Sequence, residues 1–241
     1  MSSRVLVVVP AFNEQDALPG VLDDLALHCA AADVLVVDDG SADATTAVAR
    51  ARGVRVLELP FNVGVGGALR AGLLLAQREG YDVAVQCDAD GQHRADAVGA
   101  LVGALESTDA DIVIGARFAG VGDYTPSLAR RTTMRMLAVV MSALFGTRLT
   151  DVTSGMRAFS TRAITLLGTQ MPTEYLGDTI EALAVARMNG MRVVQVAVEM
   201  RERQGGTVSH RPVRAALYLG RACLMLALSL MRIGGRRWRV R

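Results

Sequence analysis

Residues 83–93 read VAVQCDADGQH, in which a short apolar run ends in two carboxylates separated by one residue. The run from Val83 to Val85 is short and rich in β-branched residues, so it predicts a buried strand. Asp88 and Asp90 would then lie at the carboxyl end of that strand. Hard oxygen ligands there suit Mg²⁺ or Mn²⁺ holding the phosphates of a sugar nucleotide. Because Asp and Gly also form ordinary turns, the triplet alone leaves both interpretations open.

Similar runs recur through the first half of the chain and alternate with helical patterns. Continuous apolar runs separated by helices are typical of a parallel sheet covered on both faces, so the sequence predicts an α/β fold with a mostly parallel central sheet. The predicted strands are Val5–Val9, Val34–Val37, Val54–Leu59, Val83–Gln86 and Ile112–Ile114. The predicted helices are Ala17–Ala30, Ala42–Arg52 with Ser41 as its N-cap, Gly66–Arg78 and Ala95–Glu106.

The second half is less regular. It predicts, in chain order, a helix at 127–145, a strand at 156–160, a helix at 178–189, a strand at 192–198, a polar loop and a final helix. No Pro/Gly/Ser-rich stretch divides the 241 residues, which suffice for one substantial domain. We therefore expect one domain at 1–212, followed by an amphipathic helix and basic tail at 213–241.

Composition sets limits on the location and chemistry of the protein. Hydrophobic residues make up 51% of the chain, yet no run reaches the ~20 apolar residues of a spanning helix. The chain enters its first predicted strand without a signal-peptide pattern, so we expect a cytoplasmic protein with peripheral membrane contact. Cys29, Cys87 and Cys223 are too few and too far apart for a disulfide framework or a zinc motif.

The 26 basic residues are all arginine. The absence of lysine excludes a P-loop lysine, a Schiff-base lysine and the strand lysine of kinases, because each of these requires a primary amine. Phosphate groups must therefore be recognised by guanidinium groups, backbone amides or a metal ion.

Four polar turns follow the predicted strands, at the edge where open parallel sheets bind ligands. In the turn at 10–14, Phe12 can flank a base and Glu14 can accept hydrogen bonds from a ribose or base. The turn at 38–41 offers further carboxylates, and the glycine-rich turn at 62–68 enters a helix where a ligand can approach the backbone closely. The fourth turn carries the carboxylates at 87–93. Any one of these turns has an ordinary structural explanation, but all four meet at one edge.

With these motifs in this order, the chain resembles the family 2 glycosyltransferases of the type A fold, especially the polyprenyl-phosphate sugar synthases. The resemblance covers nearly the whole chain. It rests on VVVPAFNE at 7–14, VVDDGS at 36–41, NVGVGGALRAG at 62–72, CDADGQH at 87–93, GARF at 115–118, DVTSGMRAF at 151–159 and RERQGGTVS at 201–209. Two departures are His210, where a lysine is common, and the lack of a downstream transmembrane pair.

The resemblance implies a metal-dependent, inverting transfer of a sugar from a nucleotide-diphosphate sugar, such as GDP-mannose or a UDP-hexose, to a polyprenyl phosphate. The implied cofactor is Mg²⁺ or Mn²⁺. The implied metal ligands are Asp88, Asp90 and Gln92. The implied donor-binding residues are Pro10, Phe12, Glu14, Asp38, Asp39, Asn62, Gly67, Asp88 and Ala89.

The resemblance also implies roles for further residues besides Asp90. Arg117 and Arg131 are expected to hold the acceptor phosphate, and Arg203 is expected to close over the diphosphate. Asp151 matches an aspartate that orients the nucleophile or acts as a base. His93 is interpreted as a cap of the next helix rather than as a metal ligand.

The C-terminal segment has the composition of a membrane-interface helix. From Val213 to Ile233 it is mostly apolar, and its three arginines lie within about 20° of one another at 100° per residue. Four more arginines then surround Trp238, which suits anionic headgroups. The alternative is burial of this helix against the domain or in a homo-oligomer.

Four other functions remain as alternatives. A glycosyltransferase with a soluble or cell-envelope glycan acceptor would share the donor site but need a base. A nucleotidyltransferase would need a glycine-rich triphosphate loop after the first strand, where this chain has PAFNE. For a dinucleotide-binding oxidoreductase, Leu69 stands at the third glycine of GxGxxG. A catalytically inactive regulator would lack the metal pair. The identity of the sugar, the base and the oligomeric state are left open.

Overall fold

The computed structural model describes residues 3–117, 138–143, 145–171, 179, 181–199 and 201. Within them the fold is mixed α/β, with one central sheet of seven strands. The strands are β1 (Val5–Ala11), β2 (Asp33–Asp38), β3 (Arg55–Glu58), β4 (Val83–Gln86), β5 (Ile112–Arg117), β6 (Arg157–Ser160) and β7 (Val193–Val198). Each strand predicted from the sequence is confirmed, with bounds that differ by at most three residues at an end.

Helices cover both faces of this sheet. They are α1 (Leu18–His28), α2 (Thr45–Ala51), α3 (Val65–Arg78), α4 (Ala97–Thr108), α5 (Thr161–Gln170) and α6 (Ala182–Met188), and residues 138–143 are also helical. Alternate residues of β1 point to opposite faces, so Leu6 and Val8 pack in one apolar cluster and Val7 and Val9 in the other. Strand β1 is therefore buried on both sides, as its continuous apolar run predicted.

The strand order is β3-β2-β1-β4-β6-β5-β7. Strand β1 pairs in parallel with both β2 and β4, while β6 runs antiparallel between β4 and β5. The chain leaves β1 for β2 and β3 on one side and returns to β4 on the other. This switch point opens a crevice at the carboxyl ends of β1 and β4, where such sheets bind ligands.

The reversal of β6 has a direct consequence for that crevice. Because β6 runs against its neighbours, its amino end lies at the edge where the other strands have their carboxyl ends. The loop at 151–156 enters β6 from that side. It therefore joins the turns that follow β1, β2 and β4.

Two expectations are corrected and others lie outside the described residues. Helix α5 was not predicted, since its sequence TRAITLLGTQ has β-branched residues and a glycine that weaken a helical pattern. Helix α2 begins at Thr45 rather than at residue 42, and Ser41 is not its N-cap. Most of the predicted helix at 127–145 and all of 213–241 lie outside the described residues. No helix in the described part of the chain has the length and apolarity to cross a bilayer.

Candidate active site

Hydrogen bonds join the turns after β1 and β2 to each other. The Asn13 amide donates to Ser41 Oγ at 2.9 Å, and the Ala42 amide donates to Asn13 Oδ1 at 2.8 Å. The Glu14 amide donates to Thr45 Oγ1 at 2.9 Å. Ser41 therefore accepts a hydrogen bond from the neighbouring turn instead of capping α2. This explains why that helix begins at Thr45 and not at residue 42. The two turns hold each other in place.

Asp38 and Asp39 are both buried, and each organises a different part of this edge. Asp38 accepts from the Ser41 amide at 3.0 Å and from the Thr46 hydroxyl. Asp39 accepts from the amides of Val63 and Gly64 at 2.7 and 2.8 Å, so it binds the turn after β3.

Burial raises the pKa of the Asp39 carboxyl, which is 2% exposed, and the negative charge of Asp38 adds to this effect. The hydrogen bonds from Val63 and Gly64 oppose it by stabilising the carboxylate. A base that reaches Asp39 must use the remaining lone pairs of its two oxygens. Gly40, with φ of 72°, brings the same turn against the backbone of Asn62, because a Cβ there would lie 2.9 Å from the Asn62 nitrogen.

The other predicted donor residues lie around these turns. Pro10 is buried in β1, Gly67 is buried in α3, and Asn62 is exposed before α3. Phe12 is 44% exposed at the end of β1. Phe61, which the sequence motifs did not single out, is 66% exposed on the turn that packs against Gly40. An aromatic residue directly before the glycine-rich turn was the available signal.

Asp88 lies directly beyond β4 and is contacted by three residues. Gln86 Nε2 donates to Asp88 Oδ1 at 3.2 Å, and the Asp88 amide donates to His93 Nδ1 at 3.0 Å. His93 Nε2 is 3.6 Å from Asp88 Oδ2. Gly155, from the loop before β6, leaves no room for a Cβ beside the carboxylate. The interpretation of His93 as a helix cap is wrong, because its ring faces back onto Asp88.

The turn continues through Asp90. The Gln92 amide donates to Asp90 Oδ1 at 3.0 Å, and Gly91 between them has φ of 77°, which glycine adopts without strain. Ala89 is buried, so only its backbone can contact a sugar-nucleotide donor. Asp88 and Asp90 are each partly exposed, as groups that meet a ligand must be.

A buried arginine holds the loop at 151–156 in place. Arg157 is fully buried and donates to the carbonyl oxygens of Val152, Ser154 and Thr179 at 2.8, 2.9 and 3.0 Å. An arginine in the otherwise apolar run MRAF was the sequence signal that it has a structural partner. Through this loop, Arg157 sets the position of the glycine that contacts Asp88.

Asp151 begins the same loop and is buried. Its Oδ1 accepts from the amide and hydroxyl of Thr153 at 3.3 and 3.1 Å, and its carbonyl accepts from Gln195 Nε2 at 2.8 Å. The contact with Gln195 ties Asp151 to β7. The structure thus brings it to the site edge in the loop that touches the turn carrying Asp88.

The segment after β7 is fastened to the turn that carries Gln92. The Arg201 amide donates to the Gln92 carbonyl at 3.0 Å, and its guanidinium pairs with Asp24 of α1 at 3.1 Å. Arg94 pairs with Glu199 at 3.1 Å. The RERQGG motif therefore starts beside the Asp88 turn.

Of the three arginines predicted to bind phosphate groups, only Arg117 is among the described residues. Arg117 ends β5, opposite Val198 of β7, which places its backbone at the same sheet edge. Arg131 and Arg203 lie outside the described residues. Arg203 follows the fastened Arg201 by two positions, and two residues of chain reach about 7 Å at most.

The protein side chains of this edge offer only part of a metal coordination sphere. No group of three His, Cys, Asp or Glu side chains converges among the described residues. Asp88 and Asp90 supply hard carboxylate oxygens within one turn, which fits Mg²⁺ or Mn²⁺ bound by one or two carboxylates together with substrate phosphates.

The sequence profile of the family described as "Glycosyl transferase family 2" matches residues 6–167. The chain belongs to this family. Among its relatives, polyprenol monophosphomannose synthase of Mycolicibacterium smegmatis is 30% identical over 90% of this chain and 85% of the relative. Undecaprenyl-phosphate mannosyltransferase of Micrococcus luteus is 34% identical over 84% of this chain and 86% of the relative. The family 2 assignment and these relatives identify the chain as a glycosyltransferase.

A solved structure supports the fold. Glucosyl-3-phosphoglycerate synthase from Mycobacterium tuberculosis, crystallised with Mn²⁺, UDP and glucosyl-3-phosphoglycerate, matches with a TM-score of 0.72. The match covers 95% of this chain and 80% of that chain at 24% identity. The family 2 chain thus has the type A glycosyltransferase fold that its sequence predicted.

Proposed function

We propose that this glycosyltransferase moves a hexose from a nucleotide-diphosphate sugar to a polyprenyl phosphate, with inversion and with a divalent cation. The carrying observation is the Asp88–Asp90 turn at the β1/β4 switch point of a chain whose relatives bear the names of polyprenyl-phosphate mannose transferases. A third relative, dolichyl-phosphate beta-glucosyltransferase of Drosophila melanogaster, is 32% identical over 93% of this chain and 74% of the relative. GDP-mannose and UDP-glucose are therefore the donors to test first.

The turns after β1, β2 and β3 form the proposed donor pocket. Asp39 and Glu14 accept hydrogen bonds from the nucleoside, and Phe12 flanks the base. The hydrogen bonds among these turns support this assignment, since they give the pocket its shape before the donor arrives.

Asp88, Asp90 and Gln92 would hold Mg²⁺ or Mn²⁺ against the donor diphosphate. The bound cation would neutralise charge that grows on the departing nucleotide. The relevant observation is the pair of partly exposed carboxylates in one turn, with Ala89 presenting its backbone between them.

The acceptor phosphate requires positive charge more than it requires a base, because it is already anionic near neutral pH. In a chain without lysine, Arg117 and Arg131 are proposed to bind it, and Arg203 is proposed to bind the diphosphate. Attack of the acceptor oxygen from the face opposite the leaving group is a single displacement, so the anomeric configuration inverts. Asp151 orients that oxygen.

The lipid acceptor stays in the bilayer, so the enzyme must work at the membrane surface. We propose peripheral contact with the inner face of the cell membrane through the apolar helix and basic tail predicted at 213–241. The arginine-rich composition of the tail supports this assignment.

The deciding experiment incubates the full chain with GDP-mannose or UDP-glucose, Mg²⁺ or Mn²⁺, and undecaprenyl phosphate, followed by mass spectrometry of the lipid. Wild type is expected to form one glycosyl lipid, while Asp90→Ala and chelated wild type form none. Asp109→Asn, at the far end of α4, is the control, because asparagine tolerates the φ of 50° at that position and the carboxylate is still removed. Full turnover in excess EDTA would contradict the proposed dependence on a divalent cation. Transfer only to water-soluble acceptors would favour the soluble-acceptor alternative.

The acceptor role of the arginines has its own test. Arg117→Gln and Arg131→Gln are expected to raise the KM for the lipid phosphate at least tenfold while the affinity for the nucleotide stays unchanged, because they remove charge only from the acceptor side. Calorimetry with the nucleotide and steady-state kinetics with the lipid separate the two effects. A collapse of nucleotide affinity with an unchanged lipid KM would contradict this assignment.

A further inference from the structure

The Asp88 carboxylate is held by residues that have no role in binding the sugar donor or the lipid acceptor in the proposed function. Its side chain is 34% exposed, so one part faces the crevice while the remainder is enclosed. Three residues enclose it: Gln86 from β4, His93 from the same turn, and Gly155 from the loop before β6. We call these three the Asp88 support.

Gln86 is a polar residue in a place that favours an apolar one. It is 1% exposed, in a strand whose other residues are apolar. Its Nε2 donates to Asp88 Oδ1, while its Oε1 is buried without a hydrogen-bond partner in the part of the chain that the structure describes. A buried, half-satisfied amide is unfavourable for folding, and a hydrophobic residue of similar size would avoid that cost. What the amide contributes is its hydrogen bond to Asp88.

His93 acts on Asp88 from the other side. The ring is 4% exposed, and its Nδ1 accepts from the Asp88 amide. In the neutral ring the proton must then be on Nε2, because one nitrogen accepts and the other donates. Nε2 itself lies 3.6 Å from Asp88 Oδ2, which is a close contact and not a hydrogen bond. The same ring therefore binds the backbone of Asp88 and packs beside its second oxygen.

Gly155 supplies the third side. A Cβ at this position would lie 2.7 Å from Asp88 Oδ1 and closer still to Oδ2, so the glycine backbone touches the carboxylate. With Gln86 near one oxygen and His93 near the other, the carboxylate has one orientation in which all three contacts are kept. A ligand that is oriented in advance loses less conformational freedom when it binds a cation.

We infer that Gln86 and His93 are positioning residues that, with Gly155, fix the rotamer of Asp88 for the divalent cation. This inference rests on the proposed metal-dependent function. It assigns to Gln86 a task that competes with stability, because the amide weakens the core in order to orient a ligand. A purely structural role would have the opposite signature, since replacing Gln86 would then lower stability.

The test uses the full chain and follows Mn²⁺ by electron paramagnetic resonance, in the presence of saturating UDP and, separately, GDP. Gln86→Met keeps the length of the side chain and removes its hydrogen bond. His93→Asn keeps an acceptor for the Asp88 amide and removes the part of the ring that packs beside Oδ2. The matched controls are Gln77→Met on the exposed face of α3 and His28→Asn on α1.

Gln86→Met and His93→Asn are expected to weaken Mn²⁺ binding by about tenfold, within the range for residues that orient metal ligands. Nucleotide affinity without metal and the affinities of both controls should match wild type. The thermal midpoint of Gln86→Met should equal or exceed that of wild type, which a merely structural role does not allow.

Two outcomes distinguish a failure of this inference from a failure of the proposed function. Wild-type Mn²⁺ affinity in both folded variants overturns the inference and leaves the proposed function standing. No Mn²⁺ binding by wild type with either nucleotide overturns the metal-dependent function and the inference together. If His93→Asn does not fold, Gln86→Met alone decides, since its core environment accepts an apolar side chain.

Discussion

Gly155 shows that the site depends on the position of single atoms. Its backbone needs no unusual φ, so alanine is conformationally acceptable there. The obstacle is the Asp88 carboxylate, which fills the space that a Cβ would need. Because Asp88 is partly exposed, its side chain can turn away toward solvent, and this is easier than moving the backbone of a buried strand.

Gly155→Ala is therefore expected to reduce transfer by at least tenfold while the thermal midpoint changes little. The added methyl group should displace the carboxylate rather than unfold the loop that Arg157 holds. Initial rates at several Mn²⁺ concentrations, together with thermal unfolding, check both parts. Gly99→Ala, with open space at its Cβ on the exposed face of α4, is the control. A large loss of stability in Gly155→Ala would place the strain in the backbone instead.

At the scale of elements, helix α3 lies against β1 at Gly72. A Cβ on Gly72 would overlap Val8 Cγ1 and lie 3.1 Å from Val8 Cγ2. The close approach matters because α3 begins at the glycine-rich turn held by Asp39, and β1 ends at the proposed donor pocket. The distance between helix and strand therefore sets the distance between two parts of the proposed donor site.

Gly72→Ala is expected to lower the free energy of unfolding by about 1–3 kcal/mol, the usual cost of overpacking a core. Gly103→Ala, in the middle of α4 with open space at its Cβ, should raise it by about 0.5–1 kcal/mol through helix propensity. Urea unfolding of both variants gives the comparison. If Gly72→Ala raised the free energy of unfolding as much as Gly103→Ala, α3 would be able to move away from β1 without cost.

At the scale of the whole molecule, the two-sided core protects the thiols that lie in it. Burial raises the pKa of Cys29 to about 11, with smaller contributions from Asp24 and Asp96. Burial also raises the pKa of Cys87, far above its ordinary range. A thiol of pKa 11 is ionised to about one part in a thousand at pH 8, so it reacts slowly.

In a Cys223→Ser variant, we expect no fast reaction of the native protein with a disulfide reagent at pH 8. In guanidinium chloride the two remaining thiols should both react, because unfolding returns their pKa values to the ordinary range. Reactivity of Cys29 in the native state should rise about tenfold per pH unit above pH 8 and level off near pH 11. One thiol that reacts rapidly at pH 8 would show that the core opens locally around it.

The proposed membrane attachment also belongs to the whole molecule, although the tail lies outside the described residues. Replacing Arg236, Arg237, Trp238 and Arg239 together should sharply reduce flotation with anionic liposomes, since each basic residue contributes roughly 1 kcal/mol at such a surface. Transfer to a short, water-soluble prenyl phosphate should persist. Raising the salt concentration should weaken wild-type flotation in the same direction. Unchanged flotation of the variant would show that the tail is not the anchor.

The sequence alone determined the strands, the mostly parallel sheet, the family and the turns that meet at one edge. It could do so because continuous apolar runs, glycines and carboxylates report local structure directly. Only the tertiary structure revealed that Ser41 binds the neighbouring turn, that His93 faces Asp88, and that Gln86 and Gly155 complete its enclosure. The contact of Gly155 follows from the reversal of β6 between β4 and β5, which brings residue 155 against residue 88. The contact of Ser41 follows from the parallel pairing of β1 with β2, which brings residue 41 against residue 13. A pairing between residues so far apart in the chain leaves no periodicity in either segment, so packing in three dimensions decides it.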